Sequence, residues 1–164
     1  MQIYDAGTSD TLSRIVDAIF ERDVRVIAGD WRGVQYWIDQ MERPGDPTVW
    51  IFDPSTMISE ELLPLADFME AVLADHILNA VDYADFANWL DVNGKRSIGQ
   101  AECVPVVPPH FVSGRADPDS RSGSSFSTAA YLLSSAKTFA AMKQLGLKPG
   151  DDFPPEFGEI VKGS

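Results

Sequence analysis

Three short runs rich in β-branched and aromatic residues, Val24 to Ala28, Val34 to Ile38 and Thr48 to Phe52, follow one another with strong breakers between them. Gly29-Asp30 separates the first pair and Arg43-Pro44-Gly45-Asp46-Pro47 the second. Such residues suit a pleated strand, and Gly, Pro and Asp supply the backbone angles that turn the chain back, so the pattern predicts an antiparallel meander. In the middle strand Val34, Tyr36 and Ile38 point one way and Gln35, Trp37 and Asp39 the other, the alternation expected of a sheet with one covered face.

Helices surround this meander. From Thr8 to Arg22, with Thr8, Ser9 or Asp10 as N-cap, Leu12, Ile15, Val16, Ile19 and Phe20 recur at helical spacing. Asp53-Pro54-Ser55-Thr56 ends the third strand as a turn. Leu65, Phe68, Met69, Val72, Leu73 and His76 share one arc of a helix predicted to reach Leu78, opposite Asp67, Glu70 and Asp75. A second helix runs from Asp82, its expected N-cap with Asp85 at the third helical position, to Asp91, and offers Phe86, Trp89 and Leu90 to the core. A strand over 102–107, a Pro/Gly/Ser-rich loop over 108–125 and a helix over 126–145 complete the pattern. The expectation is an α+β fold, a mainly antiparallel sheet of about four strands with helices packed on one side. It forms a single domain over 1–150, and residues 151–164 form a short, peripheral segment.

Charge narrows the possible partners. The 164 residues hold 13 Lys and Arg against 25 Asp and Glu, a net −12. No Lys or Arg falls between Arg43 and Lys95, an interval that carries Asp46, Asp53, Glu60, Glu61, Asp67, Glu70, Asp75, Asp82, Asp85 and Asp91. A local field of one sign repels phosphate backbones and anionic membranes and steers basic partners, so neither nucleic acid nor membrane is an expected ligand. A lone cysteine, Cys103, and no basic segment followed by an apolar run at the N-terminus point to the cytoplasm.

Chemistry-bearing residues are few. Cys103 and His110 could in principle meet as a thiolate–imidazole pair, but a buried strand cysteine and a loop histidine are the favoured reading, because burial is the usual state of a free cysteine. His76 sits on an apolar arc and reads as a core or boundary histidine. No spacing of Cys, His or carboxylates matches a metal site, and no cofactor is expected. Gly29-Asp30-Trp31-Arg32-Gly33 and Ser122-Gly123-Ser124-Ser125 contain glycine but lack the Gly-Lys-Ser/Thr that cradles phosphate. Trp31, Tyr36, Trp37 and Trp50 are more aromatic surface than a small sheet face needs, and such side chains anchor interfaces.

Several segments resemble a family of bacterial immunity proteins related to the C-terminal domain of type VI secretion immunity proteins, akin to the SUKH and GAD-like immunity groups. Gly33-Val34-Gln35-Tyr36 followed by Val49-Trp50-Ile51-Phe52-Asp53-Pro54-Ser55-Thr56 is similar to its paired strands and Asp-Pro turn. Phe68 is similar to its helix phenylalanine and Trp89-Leu90 to the tryptophan closing its next helix. Glu102-Cys103-Val104, four residues, Pro109-His110-Phe111, two residues, Gly114 resembles its strand and Pro-x-Phe-x-x-Gly loop. Where the family has a double glycine after the phenylalanine, this chain has Ser113-Gly114.

The resemblance implies a non-catalytic protein that binds and neutralises a cognate toxin domain acting in the cytoplasm. The acidic interval suits a basic target such as a nuclease or deaminase, whose active site it would occlude. The expected partner-binding residues are Asp67, Glu70, Asp75, Asp82, Asp85, Asp91 and Trp37. The alternatives are an adaptor or regulatory domain with a non-enzyme partner, and an enzyme using Cys103 or His110.

Overall fold

The computed structural model describes residues 1–41, 45, 47–74, 81–115 and 120–163. Within them five strands, β1 (Gln2–Ile3), β2 (Val24–Gly29), β3 (Gln35–Asp39), β4 (Thr48–Asp53) and β5 (Ile58–Pro64), form one sheet in sequential order, each antiparallel to its neighbour. The predicted meander is therefore the centre of the sheet, with one further strand at each edge. β5 escaped the sequence reading because Ile58-Ser59-Glu60-Glu61-Leu62-Leu63-Pro64 lacks a clean alternation; only one of its edges is paired, and both of its faces carry exposed residues.

Between Ala6–Phe20, α1 begins earlier than the caps expected at Thr8, Ser9 or Asp10, because the Asp5 carboxylate accepts the Thr8 N–H at 2.8 Å. Two serines of α1 have another task. Ser9 Oγ donates to the Val26 carbonyl at 2.5 Å, and Ser13 Oγ accepts the Val26 N–H at 2.9 Å. Both backbone groups of Val26 are thereby satisfied beside an irregularity in the β2–β3 register between Val26 and Ala28.

The sheet is covered on both faces, not on one side only. Leu12 and Val16 of α1 pack with Val24, Val26, Trp37, Phe52 and Leu132 on the first face. On the second, α2 (Leu65–Leu73) buries Phe68 against Tyr36, ring centroids 5.4 Å apart, with Ala28, Val34 and Val49. β3 explains the difference: both of its alternating sets are large and buried, so each requires a cover.

The rest packs around the open end of this sandwich. α3 (Tyr83–Val92) presents Phe86, Trp89 and Leu90 to Trp31 and Val104, as its pattern predicts. β6 (Glu102–Cys103) pairs with β7 (Phe126–Ser127), shorter than the predicted strand, and an isolated bridge joins Val106 to Arg121. Among its described residues the loop read over 108–125 contains a helical turn, α4 (His110–Ser113). α5 (Thr128–Leu145) sends Leu132 under the sheet, while its Ala141 and Met142 meet Phe111 and the buried Phe157 of α6 (Phe157–Gly163). Gly33 combines a close approach with a left-handed backbone: its φ is +91°, and a Cβ there would lie 2.9 Å from the Tyr131 ring.

Candidate functional site

The β2–β3 turn is organised by one buried carboxylate. Asp30 Oδ1 accepts the Arg32 N–H at 2.8 Å and the Val34 N–H at 3.3 Å, while Oδ2 accepts Arg32 Nε at 2.9 Å and Nη2 at 2.5 Å. Burial pushes the Asp30 carboxyl up, opposed by the guanidinium and the two backbone donors. Burial likewise works against the Arg32 charge, but the Asp30 carboxylate more than offsets it and holds the guanidinium above its ordinary value. The amides of this glycine-containing loop are thus committed to Asp30. In the other such loop the Ser124 N–H goes to Ser122 Oγ and the Ser125 hydroxyl to Glu102.

Cys103 and His110 are not paired with each other. Burial pushes the Cys103 thiol up to about 12, the opposite of what a nucleophile requires. His110 Nδ1 instead lies 3.2 Å from Ser55 Oγ. Asp53 stands next to this pair, yet its Oδ1 accepts the Ser55 backbone N–H at 2.8 Å. Among the described residues no carboxylate bonds the imidazole as in a catalytic triad, and the buried Ser55 also accepts the Phe111 N–H through its backbone carbonyl at 2.9 Å. These bonds fasten the start of α4 to the turn between β4 and β5. Among the described residues no three His, Cys, Asp or Glu side chains are grouped to hold a metal.

The expected partner-binding residues divide. Trp37 is 1% exposed, stacked on Trp50 at 5.3 Å and on Phe20 at 5.6 Å, so its ring belongs to the core and offers no contact surface. α1 covers its face, which sheet alternation alone could not reveal. Asp82 precedes α3 but makes no capping bond: its φ is +50° and its carboxylate pairs with Arg32. Asp67 and Glu70 on α2, and Asp85 and Asp91 on α3, are exposed. Asp75 lies outside the described residues, as do Asp46, His76 and the end at Leu78 predicted for the helix that begins at Leu65.

Folding adds residues the sequence reading had not joined to these. β5 packs beside α2 and contributes the exposed Glu60, which pairs with Ile51 on the α2 side of the sheet, and the exposed Glu61, which pairs with Trp50 on the other side of this edge strand. Apolar side chains are interspersed on the same two elements: Ile58 is 54% exposed, Leu62 42%, Met69 36% and Leu73 81%. Part of the arc predicted to face the core, Met69 and Leu73, therefore faces out. Neither α2 nor α3 has a basic residue in its last turn, and Glu70 and Asp91 lie there instead, where the helix dipole disfavours acids. Helix stability does not account for their placement. The one signal for this surface in the sequence was the unbroken run of acids.

Fold and site together define an α+β protein with an acidic, partly apolar surface on an edge strand and its adjoining helix. No family profile, curated protein or solved structure matches the chain, so the likeness to immunity proteins stands on the residues that carry it. Among the described residues no helix is long and apolar enough to cross a membrane.

Proposed function

We propose that this chain is a non-catalytic binding protein that captures a basic protein partner on the surface formed by β5 and α2. The observation that carries the reading is the mixture itself: exposed Glu60, Asp67 and Glu70 lie among exposed Ile58, Met69 and Leu73, with Glu61 and Leu62 extending it along the edge strand. Apolar anchors supply affinity once water is excluded, and the surrounding charge steers the encounter and selects the partner. Following the resemblance to immunity proteins, the partner is a cytoplasm-acting toxin domain with an anionic substrate. The acids would occupy the cleft that otherwise takes phosphate. Asp85 and Asp91 of α3 extend the field that draws such a partner in.

The test is a titration of the purified chain against the toxin domain encoded by the neighbouring gene, at about 50 and about 300 mM salt, with toxin activity followed in parallel. The expected result is nanomolar binding that weakens with salt and abolishes activity. Reversing Glu60, Glu61, Asp67 and Glu70 together to Lys weakens it about 100-fold, roughly 2.7 kcal/mol. Tight binding indifferent to the fourfold reversal moves the interface elsewhere on the molecule. Binding without loss of toxin activity favours the adaptor reading, and absence of binding removes the immunity reading for that pair.

A further inference from the structure

Arg121 contrasts with Arg32. The Arg32 guanidinium is held by Asp30 and Asp82, whereas Arg121, half-buried beside it, has no ion pair among the described residues. Its guanidinium lies 4.4 Å over the Trp31 ring, and Nη1 makes one long bond of 3.4 Å to the Val104 carbonyl. A guanidinium has five N–H donors, and leaving most of them without an acceptor in a partly desolvated place is costly. Burial, with repulsion from Arg32 behind it, pulls the Arg121 charge below its ordinary stability.

The side chain borders a cavity of about 230 Å³ that it shares with Arg32, Asp53, Ser55 and His110, with three aliphatic side chains between them. We propose that this cavity binds a carboxylate, which accepts two parallel hydrogen bonds from the Arg121 guanidinium while Ser55 and His110 border the seat. A planar carboxylate matches the fork of one arginine. Phosphate does not suit the surroundings: Asp30, Asp53 and Asp82 outnumber the two arginines, so the site tolerates one added negative charge better than two. The carboxylate comes either from a small free acid or from an acidic side chain of a docked protein. This site is separate from the β5–α2 surface and does not depend on the function proposed for it.

The test is a two-dimensional amide and arginine-side-chain NMR titration of the full chain with propanoate, with inorganic phosphate and with the peptide acetyl-Gly-Glu-Gly-amide. Propanoate is expected to shift the Ser55 amide and the Arg121 Nε–H saturably, with a low-millimolar Kd at least about tenfold below that of phosphate. Arg121→Gln weakens this by about tenfold or more, and Arg121→Lys, which keeps the charge over Trp31 but loses the fork, by about threefold or more. Should the glutamine variant fail to fold, the lysine variant alone carries the test. A peptide bound about tenfold tighter than propanoate assigns the seat to a partner's side chain, and the reverse assigns it to a free acid. No saturable shift by about 50 mM, phosphate binding as well as propanoate, or unchanged affinity in a folded Arg121 variant overturns the proposal. The fourfold Lys variant of β5 and α2 replaces no residue that lines the cavity, and Arg121 lies outside the β5–α2 surface, so loss of toxin capture with saturable propanoate binding retained, or the reverse in an Arg121 variant, lets either reading fail alone.

Discussion

β3 and β5 flank the same strand, β4, and have opposite characters. β3 is buried on both faces, with Trp37 under α1 and Tyr36 under α2, and nearly every side chain along it is enclosed. β5 has the opposite burial pattern, its acids and two of its large apolar residues in solvent and one edge beyond β4. An interior strand must fill space on two sides, so its sequence is dictated by packing. An edge strand is released from that demand and is free to carry a surface. A residue's type therefore matters less here than its place: Trp37, an aromatic suited to an interface, is core, while Leu62 and Leu73, ordinary core residues, are outside.

The sharpest way to break the contrast is Trp37→Ala, which empties the space between Phe20 and Trp50 and should cost about 4 kcal/mol in urea-induced unfolding. A loss below about 1 kcal/mol would show that α1 does not seal that face. Phe68→Ala, on the opposite face, should cost about 3 kcal/mol by the same measurement, since α2 is held by this one fully buried side chain. Ser13→Ala leaves the Val26 N–H without its acceptor and should cost about 2 kcal/mol. By contrast Leu73→Ser should change stability by less than about 0.5 kcal/mol while weakening capture of the partner. A large stability loss there would mean that α2 is covered by something within the chain.

Two chemical measurements refine the same division. With its thiol pushed up to about 12 by burial, Cys103 should react with a thiol-specific disulfide reagent at pH 8 only as fast as the protein opens, and full labelling on unfolding is the control. Glu102 gives the smallest effect. Its carboxylate is lowered by the Gly99 N–H and the Ser125 hydroxyl, so it binds protons less readily folded than unfolded. Its contribution is present above the ordinary glutamate range and is lost as the pH falls through the folded value. Glu102→Gln should therefore lower stability slightly at neutral and higher pH, leave it little altered below the folded value, and so flatten the decline on the acid side.

The partial legibility of this protein has a common cause. The meander from Val24 to Phe52, α1, the Asp53-Pro54 turn and α3 could be read because their periodicity is local and their breakers are strong. β5 could not, because an edge strand with two adjacent glutamates carries no alternation to detect. The segment after Gly150 carries α6, which joins a core cluster through Phe157, with Ile160 and Val161 packed against it, a docking invisible in a proline-broken sequence. For the candidate site, the acids were in plain view, but their union with Leu62, Met69 and Leu73 required β5 to exist and to lie beside α2. The Arg121 cavity gathers residues from five places in the chain, none adjacent to another in sequence.

What the sequence alone determined was the α+β class, the central antiparallel strands and the sign of the surface field, because each depends on neighbours along the chain or on a sum over it. Only the tertiary structure decided that both sheet faces are covered, that Trp37 is inside, that Cys103 and His110 are apart and that Arg121 lacks an ion pair among the described residues. Those outcomes turn on which distant side chains reach the same few ångströms, and solvent exclusion there fixes charge, reactivity and contact.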